Sequence, residues 1–173
     1  MSKNALIVVD VQNDFTTGAL GTKEAKAAIP FIEGFLCKFH ADGNRIFYTR
    51  DTHDANYLNT QEGKHLPIEH CMFGSHGWRV VDSVGYAESE QVTYLNKSQF
   101  GYDDWESEHL DQYDKIFIMG FCTDICVIAN ALAIKILYPE LPIMIVSNGC
   151  AGSTPEKHLA ALEVMRSCQF NVI

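Results

Sequence analysis

Short apolar runs that alternate with segments of helical periodicity constrain the fold of this 173-residue chain most strongly. The predicted strands span residues 5–9, 45–50, 91–95, 116–119, 143–147 and 170–173. A continuous apolar run such as residues 5–9 is typical of a central strand that is covered on both faces. Helices are predicted at 25–41 and 104–110. Two more are predicted, one from Thr123 or Asp124 to residue 137 and one that begins at Pro155. This alternation predicts an α/β fold with a parallel sheet, helices on both faces and right-handed connections.

Size and charge narrow the classes of protein to consider. With 47 % hydrophobic residues, we expect one globular domain over residues 1–173. The formal charge is −9 and Lys and Arg form no run, so we expect no nucleic acid and no anionic membrane as partner. The apolar runs are of strand length and the N-terminal run is too short for a signal peptide, which predicts a cytoplasmic protein. Six scattered cysteines predict free thiols.

Residues 115–139 carry the most informative stretch of the chain. A strand at 116–119 leads through Gly120, which allows a sharp turn, to a helix whose N-cap is Thr123 or Asp124. Cys126 then lies in the first helical turn, above the carboxyl edge of the sheet. Free backbone N–H groups and the positive end of the helix dipole favour a thiolate there. Cys126 is therefore a candidate nucleophile.

Two further ionisable residues stand at ends of predicted strands. Asp10 follows the first strand and Lys97 follows the third. Each residue alone has an ordinary explanation: a helix-capping Asp, a solvated Lys, and, for Cys126, a small buried side chain. Because the carboxyl ends of parallel strands meet at one edge, an acid, a cation and a thiol would come together there. Such a group can perform nucleophilic catalysis.

A second candidate site begins at the end of the predicted second strand. Asp51 and His53 stand there, and a long segment of little periodicity, residues 54–84, follows with His70 and other polar side chains. Long irregular segments in compact domains are usually functional. One carboxylate and two imidazoles suit zinc, iron or manganese. The alternative is an ordinary polar surface loop.

Five motifs resemble the cysteine hydrolase family that includes nicotinamidases and isochorismatases. They are DVQNDF at 10–15, TRDTH at 49–53, HC at 70–71, NKSQFG at 96–101 and GFCTDICV at 120–127. The resemblance implies a three-layer α/β/α sandwich around a six-stranded parallel sheet, an isochorismatase-like, Rossmann-like fold. It also implies a triad in which Asp10 shuttles a proton, Lys97 is its charged partner and Cys126 is the nucleophile.

The resemblance extends to the backbone beside the nucleophile. It implies a cis peptide bond between Phe121 and Cys122, and an oxyanion hole made by the N–H groups of Cys122 and Cys126. Cys122 stands where the family often has alanine. It is either a tolerated small core residue or one partner in a Cys122–Cys126 redox switch.

Nicotinamidases within this family hold a metal through residues that match Asp51, His53 and His70, and Glu62 resembles an additional acidic ligand of some members. His65 is the nearest substitute for His70. The implied cofactor is a divalent metal, zinc first and iron or manganese as alternatives.

The expected activity is that of an amidohydrolase that converts nicotinamide to nicotinate through a thioester. Phe15 and Leu20 would line the ring pocket. The alternatives are another small amide, an isochorismatase-type hydrolase, or a non-catalytic metabolite-binding member. Family members are often oligomeric, so a homo-oligomer is also expected.

Overall fold

A six-stranded parallel sheet forms the centre of the computed structural model, which describes residues 3–173. The strands are β1 (Asn4–Val9), β2 (Arg45–Asp51), β3 (Val92–Lys97), β4 (Lys115–Phe121), β5 (Ile143–Ala151) and β6 (Asn171–Val172). Their order is β3-β2-β1-β4-β5-β6, and every neighbouring pair is parallel. The predicted strand count and the α/β sandwich class are confirmed.

The strand order places a switch point beside β1. From β1 the chain runs outward to β2 and β3, and then returns to pair β4 with the other side of β1. Ligands in open α/β sheets bind in the crevice beyond the carboxyl ends of the strands at such a point. Residues 5–9 of β1 are fully buried, as their apolar run predicts. Asp10 follows directly at the crevice.

Five α-helices accompany the sheet: α1 (Asn13–Thr16), α2 (Lys23–Ala41), α3 (Gln61–His65), α4 (Ile128–Leu137) and α5 (Pro155–Ser167). Helix α2 begins two residues before its predicted start because the Thr22 side chain caps it by accepting from the N–H of Ala25, at 3.0 Å. Its buried face includes Ile32 and Leu36. Proline at position 30 predicts that the helix restarts or is kinked near its beginning. Pro30 lies inside α2, which continues through it without a restart. No helix within residues 3–173 has the length and apolar character needed to cross a membrane.

Two glycines predicted to make turns instead permit close packing within strands. Gly120 belongs to β4 with φ +130°, and a side chain there would collide with the carbonyl of Val9 on β1. Gly149 lies in β5, where an added Cβ would stand 2.9 Å from Met119 Sδ. The glycines within residues 148–152 predict a turn after the strand, but β5 continues to Ala151 and pairs with the end of β4, so this prediction is wrong.

Three segments differ locally from their predictions. Residues 104–110 form turns that lead into a 3₁₀ helix, Leu110–Gln112, because His109 adopts the left-handed conformation with φ 50° and ends any α-helix. Residues 11–15, for which the following Gly18 and Gly21 predict a loop, instead include Asn13 to Phe15 of α1. The irregular segment 54–84 contains a 3₁₀ helix, Tyr57–Asn59, and α3, whose first turn is capped by Thr60.

Candidate active site

The structure brings Asp10, Lys97 and Cys126 together at the carboxyl edge of the sheet. Lys97 is the last residue of β3, and its Nζ lies 2.7 Å from Asp10 Oδ2 and 3.7 Å from Cys126 Sγ. Asp10 Oδ1 accepts a hydrogen bond from Thr49 Oγ1 at 2.7 Å. Asp10 Oδ2 is buried and faces the Lys97 ammonium. The sulfur, the carboxylate and the ammonium therefore share one crevice.

Burial sets the protonation of this group. Burial raises the pKa of the Asp10 carboxyl above its usual value, although the charge of Lys97 works in the opposite direction. Burial also lowers the pKa of Lys97, but the neighbouring Asp10 and Cys126 outweigh this effect and raise it, so Lys97 stays protonated. The carboxyl is thus a stronger base than an exposed aspartate.

Burial also affects the thiol of Cys126. Burial raises the pKa of this thiol well above its ordinary value, and the nearby Lys97 charge does not compensate. Burial therefore opposes the thiolate that the helix N-terminus is expected to favour. A neighbouring base that accepts the proton would assist attack by the sulfur.

A π-helical turn, Thr123–Val127, carries Cys126 and leads into α4. The carbonyl of Cys122 accepts from the N–H groups of Ile125 and Val127, at 3.1 and 3.0 Å. The peptide bond between Phe121 and Cys122 is cis, as the resemblance implies. The predicted side-chain N-cap is wrong: Cys122 precedes the turn without a side-chain cap, and Asp124 instead accepts from the backbone N–H and hydroxyl of Ser153.

Asp51, His53, Glu62 and His70 form a second group beside the first. One ligand atom of each residue lies within 4.8 Å of the others. Asp51 Oδ2 is 3.0 Å from His53 Nε2 and 3.3 Å from His70 Nε2, and Glu62 Oε1 is 3.8 and 3.6 Å from the same nitrogens. Burial alone would raise the pKa of Asp51, but hydrogen bonds from the two histidines hold it well below its usual range.

The chemistry of these donors fits a divalent metal. His70 Nδ1 lies 2.8 Å from the carbonyl of Ile68, and this contact orients the ring so that Nε2 faces Asp51 and Glu62. Two imidazoles and two carboxylates are a common donor set for zinc, iron and manganese. His65, the alternative to His70, lies outside the group and contacts Gln61 near the surface.

A cavity of about 1500 Å³ opens over both groups. Its walls include Cys126 and the candidate metal ligands Asp51, His53, Glu62 and His70. Phe15 and Leu20, the predicted ring-pocket residues, also line the cavity, and the Phe15 ring meets His70 edge-on. A small aromatic amide could therefore contact the thiol and the ligand group together.

Sequence reasoning missed the buried amides that support both groups. Gln12 accepts from the N–H of Asp51 and donates to the carbonyls of Asp51 and Trp78, each at 2.8 Å. Asn130 binds the carbonyl of Cys126 in a similar way. The only signal in the sequence is the position of each residue, Gln12 beside a strand-end aspartate and Asn130 one helical turn after Cys126.

Comparison with known proteins gives consistent matches along the chain. Residues 4–173 match the family model described as the isochorismatase domain. The chain is 27 % identical to the nicotinamidase/pyrazinamidase of Mycobacterium tuberculosis, covering 98 % of this chain and 97 % of that protein. It is 25 % identical to the nicotinamidase of Escherichia coli, covering 88 % and 84 %.

Two solved structures are similar over almost the whole chain. The nicotinamidase/pyrazinamidase of Bacillus subtilis has a TM-score of 0.87 and 26 % identity, covering 98 % of both chains. The pyrazinamidase of Pyrococcus horikoshii, in complex with zinc, has a TM-score of 0.83 and 27 % identity, covering 99 % of this chain and 98 % of that one.

Proposed function

Since this chain belongs to the isochorismatase family, we propose that it is a cysteine-dependent amidohydrolase that converts nicotinamide to nicotinate and ammonia. One observation carries the proposal: the Asp10–Lys97–Cys126 group and the metal-ligand group line or adjoin the same cavity. The nicotinamidases among its relatives support the amide as the substrate class. The metal-ligand group favours this activity over an isochorismatase-type hydrolysis, because the resemblance assigns such ligands to nicotinamidases.

In the proposed reaction Cys126 attacks the amide carbon. Asp10 first accepts the proton of the thiol, a transfer that its raised pKa favours. A carbon–sulfur bond then forms, and the backbone N–H groups of Cys122 and Cys126 stabilise the oxyanion. Asp10 returns the proton to the amide nitrogen, the carbon–nitrogen bond breaks and ammonia leaves. Asp10 next deprotonates a water molecule, which hydrolyses the thioester to nicotinate and the free thiol.

Two other sets of residues orient the reactants. Lys97 remains a cation throughout and holds Asp10 beside the sulfur. Asp51, His53, Glu62 and His70 would hold a divalent metal, with zinc the first choice and iron or manganese the alternatives. When bound, the metal supplies a Lewis acid for the pyridine nitrogen. Phe15 and Leu20 pack around the ring.

Ammonia release from nicotinamide tests the proposal directly. We expect release by the purified protein, loss of release in Cys126→Ala, and reduced release after chelation that added zinc restores. Release from another small amide but not from nicotinamide would support the amidohydrolase reaction and exclude nicotinamide as the substrate. No release from any small amide would favour a non-catalytic binding protein. The expected homo-oligomer and the cytoplasmic location stay predictions.

A further inference from the structure

The side-chain amide of Asn130 is completely buried and uses all of its hydrogen-bonding capacity. Its Nδ2 donates to the carbonyls of Cys126 and Phe100, at 2.8 and 3.3 Å. Its Oδ1 accepts from the N–H of Tyr102 and from Trp105 Nε1, at 2.9 and 3.1 Å. An amide has two donor hydrogens and two acceptor lone pairs, so all four are satisfied.

These hydrogen bonds join two parts of the candidate active site. On one side is the backbone of Cys126. On the other is the segment 98–105, which follows β3 and contains no helix or strand. Ser98, Gln99 and Phe100 form part of the cavity wall, and Lys97 Nζ donates to the carbonyl of Gln99 at 3.1 Å. A segment that has no regular backbone hydrogen bonds of a helix or strand depends on such side-chain hydrogen bonds for its position.

We propose that Asn130 is a positioning residue, which holds the Cys126 turn and the segment 98–105 in a fixed relation. Through this relation it maintains the approach of Lys97 Nζ to Cys126 Sγ and the shape of the cavity wall. A shift of about 1 Å in reacting groups can cost about a hundredfold in rate. The role in turnover rests on the proposed function, whereas the effect on the reactivity of Cys126 can be measured without it.

The test compares Asn130→Leu with Ile134→Ala. Leucine has the same number and branching of side-chain heavy atoms as asparagine, but it is bulkier and makes no hydrogen bond. Ile134 is fully buried one turn further along α4, so Ile134→Ala destabilises the same helix without changing the Asn130 bonds. Three quantities are measured: the melting temperature, the rate of iodoacetamide alkylation at Cys126 by peptide mass spectrometry, and kcat and KM for nicotinamide.

For Asn130→Leu we expect kcat to fall by about tenfold or more, with a smaller change in KM, and a changed alkylation rate at Cys126. Ile134→Ala should lower the melting temperature but leave kcat and the rate of Cys126 alkylation near those of the parent protein. Trp105→Phe, which removes one of the four bonds and keeps an aromatic ring, should change the rates in the same direction by less. If Asn130→Leu does not fold, the kcat and the Cys126 alkylation rate of Trp105→Phe decide whether Asn130 is a positioning residue.

A purely structural role gives a different result. Folded Asn130→Leu, or Trp105→Phe in its place, would then lower the melting temperature while kcat and Cys126 alkylation match the parent protein. This result would overturn the proposal. If the parent protein released no ammonia from nicotinamide, the proposed function would fail, but the alkylation rates would still decide the role of Asn130.

Discussion

Replacement of Lys97 by methionine should destabilise the protein, because it leaves the buried Asp10 carboxylate without its cation. Methionine keeps most of the apolar stem but removes the Nζ that lies 2.7 Å from Asp10 Oδ2. At that distance two unit charges attract by about 6 kcal/mol at an effective dielectric constant of about 20, and desolvation offsets part of this attraction. Loss of one partner from a buried pair typically costs about 3–5 kcal/mol. For a chain of this size the melting temperature should fall by about 6–20 °C.

The stability loss in Lys97→Met should also depend on pH. Burial already raises the pKa of Asp10, and this substitution removes the cation that opposes the rise. A carboxyl whose pKa is raised by folding binds its proton more tightly in the folded state. Its favourable contribution is complete below the unfolded pKa of about 3.9 and is lost as pH rises toward the folded pKa. The deficit relative to the parent protein should therefore be larger at about pH 8 than at about pH 5.

Thermal unfolding with a chelator present, at both pH values, measures this effect. The matched control is the double variant Asp10→Asn, Lys97→Met, which removes both charges. It should regain much of the lost stability at the higher pH, because no unpaired charge stays buried. A Lys97→Met protein as stable as the parent, or a deficit that does not change with pH, would refute the reasoning.

Four further substitutions, of which His65→Ala is a control, separate the candidate nucleophile from the candidate metal ligands. Cys126→Ala should abolish ammonia release while metal analysis finds the parental zinc content; a near-parental rate would contradict its role as nucleophile. His70→Ala should lose most of its zinc affinity in titrations with a competing chelator, whereas His65→Ala should keep it. Equal zinc affinities of these two variants would contradict the assignment of His70 as a ligand. Gln12→Leu should weaken zinc binding by about 10–100-fold, because the backbone of Asp51 loses its support. In this variant, unchanged zinc affinity would show that Asp51 holds its position without Gln12.

The placement of the candidate active site could be predicted because the relevant information is local. Asp10 and Lys97 stand where apolar runs end, and parallel strands bring such ends to one edge. The periodicity of residues 25–41 likewise predicts a helix, which the structure contains as α2. These features depend only on short segments and on the rule that parallel strands share a carboxyl edge.

Features that depend on distant contacts could not be predicted. The charge state of Cys126 depends on how deeply the fold buries its sulfur, whereas its sequence position indicated only a helix end. Gly149 resembles a turn residue until Met119 of the neighbouring strand is placed against it. Gln12 and Asn130 are unremarkable as sequence, and their roles appear only when their backbone partners are known.

The choice between His65 and His70 shows the same limit. Both histidines follow Asp51 in the irregular segment, and spacing alone left both open. His65 ends α3 and turns toward Gln61, whereas the carbonyl of Ile68 orients the ring of His70 toward Asp51. The orientation of the ring, rather than its place in the sequence, makes His70 the candidate ligand.

The most direct test of the account is to trap the covalent intermediate. Purified protein is mixed with nicotinamide, quenched rapidly in acid and digested, and the peptide that contains Cys126 is weighed by mass spectrometry. We predict the added mass of one nicotinoyl group on Cys126, formed as ammonia is released, and none on the corresponding peptide of Cys126→Ala. Steady formation of nicotinate without this adduct, together with parental turnover in Cys126→Ala, would contradict the central claim.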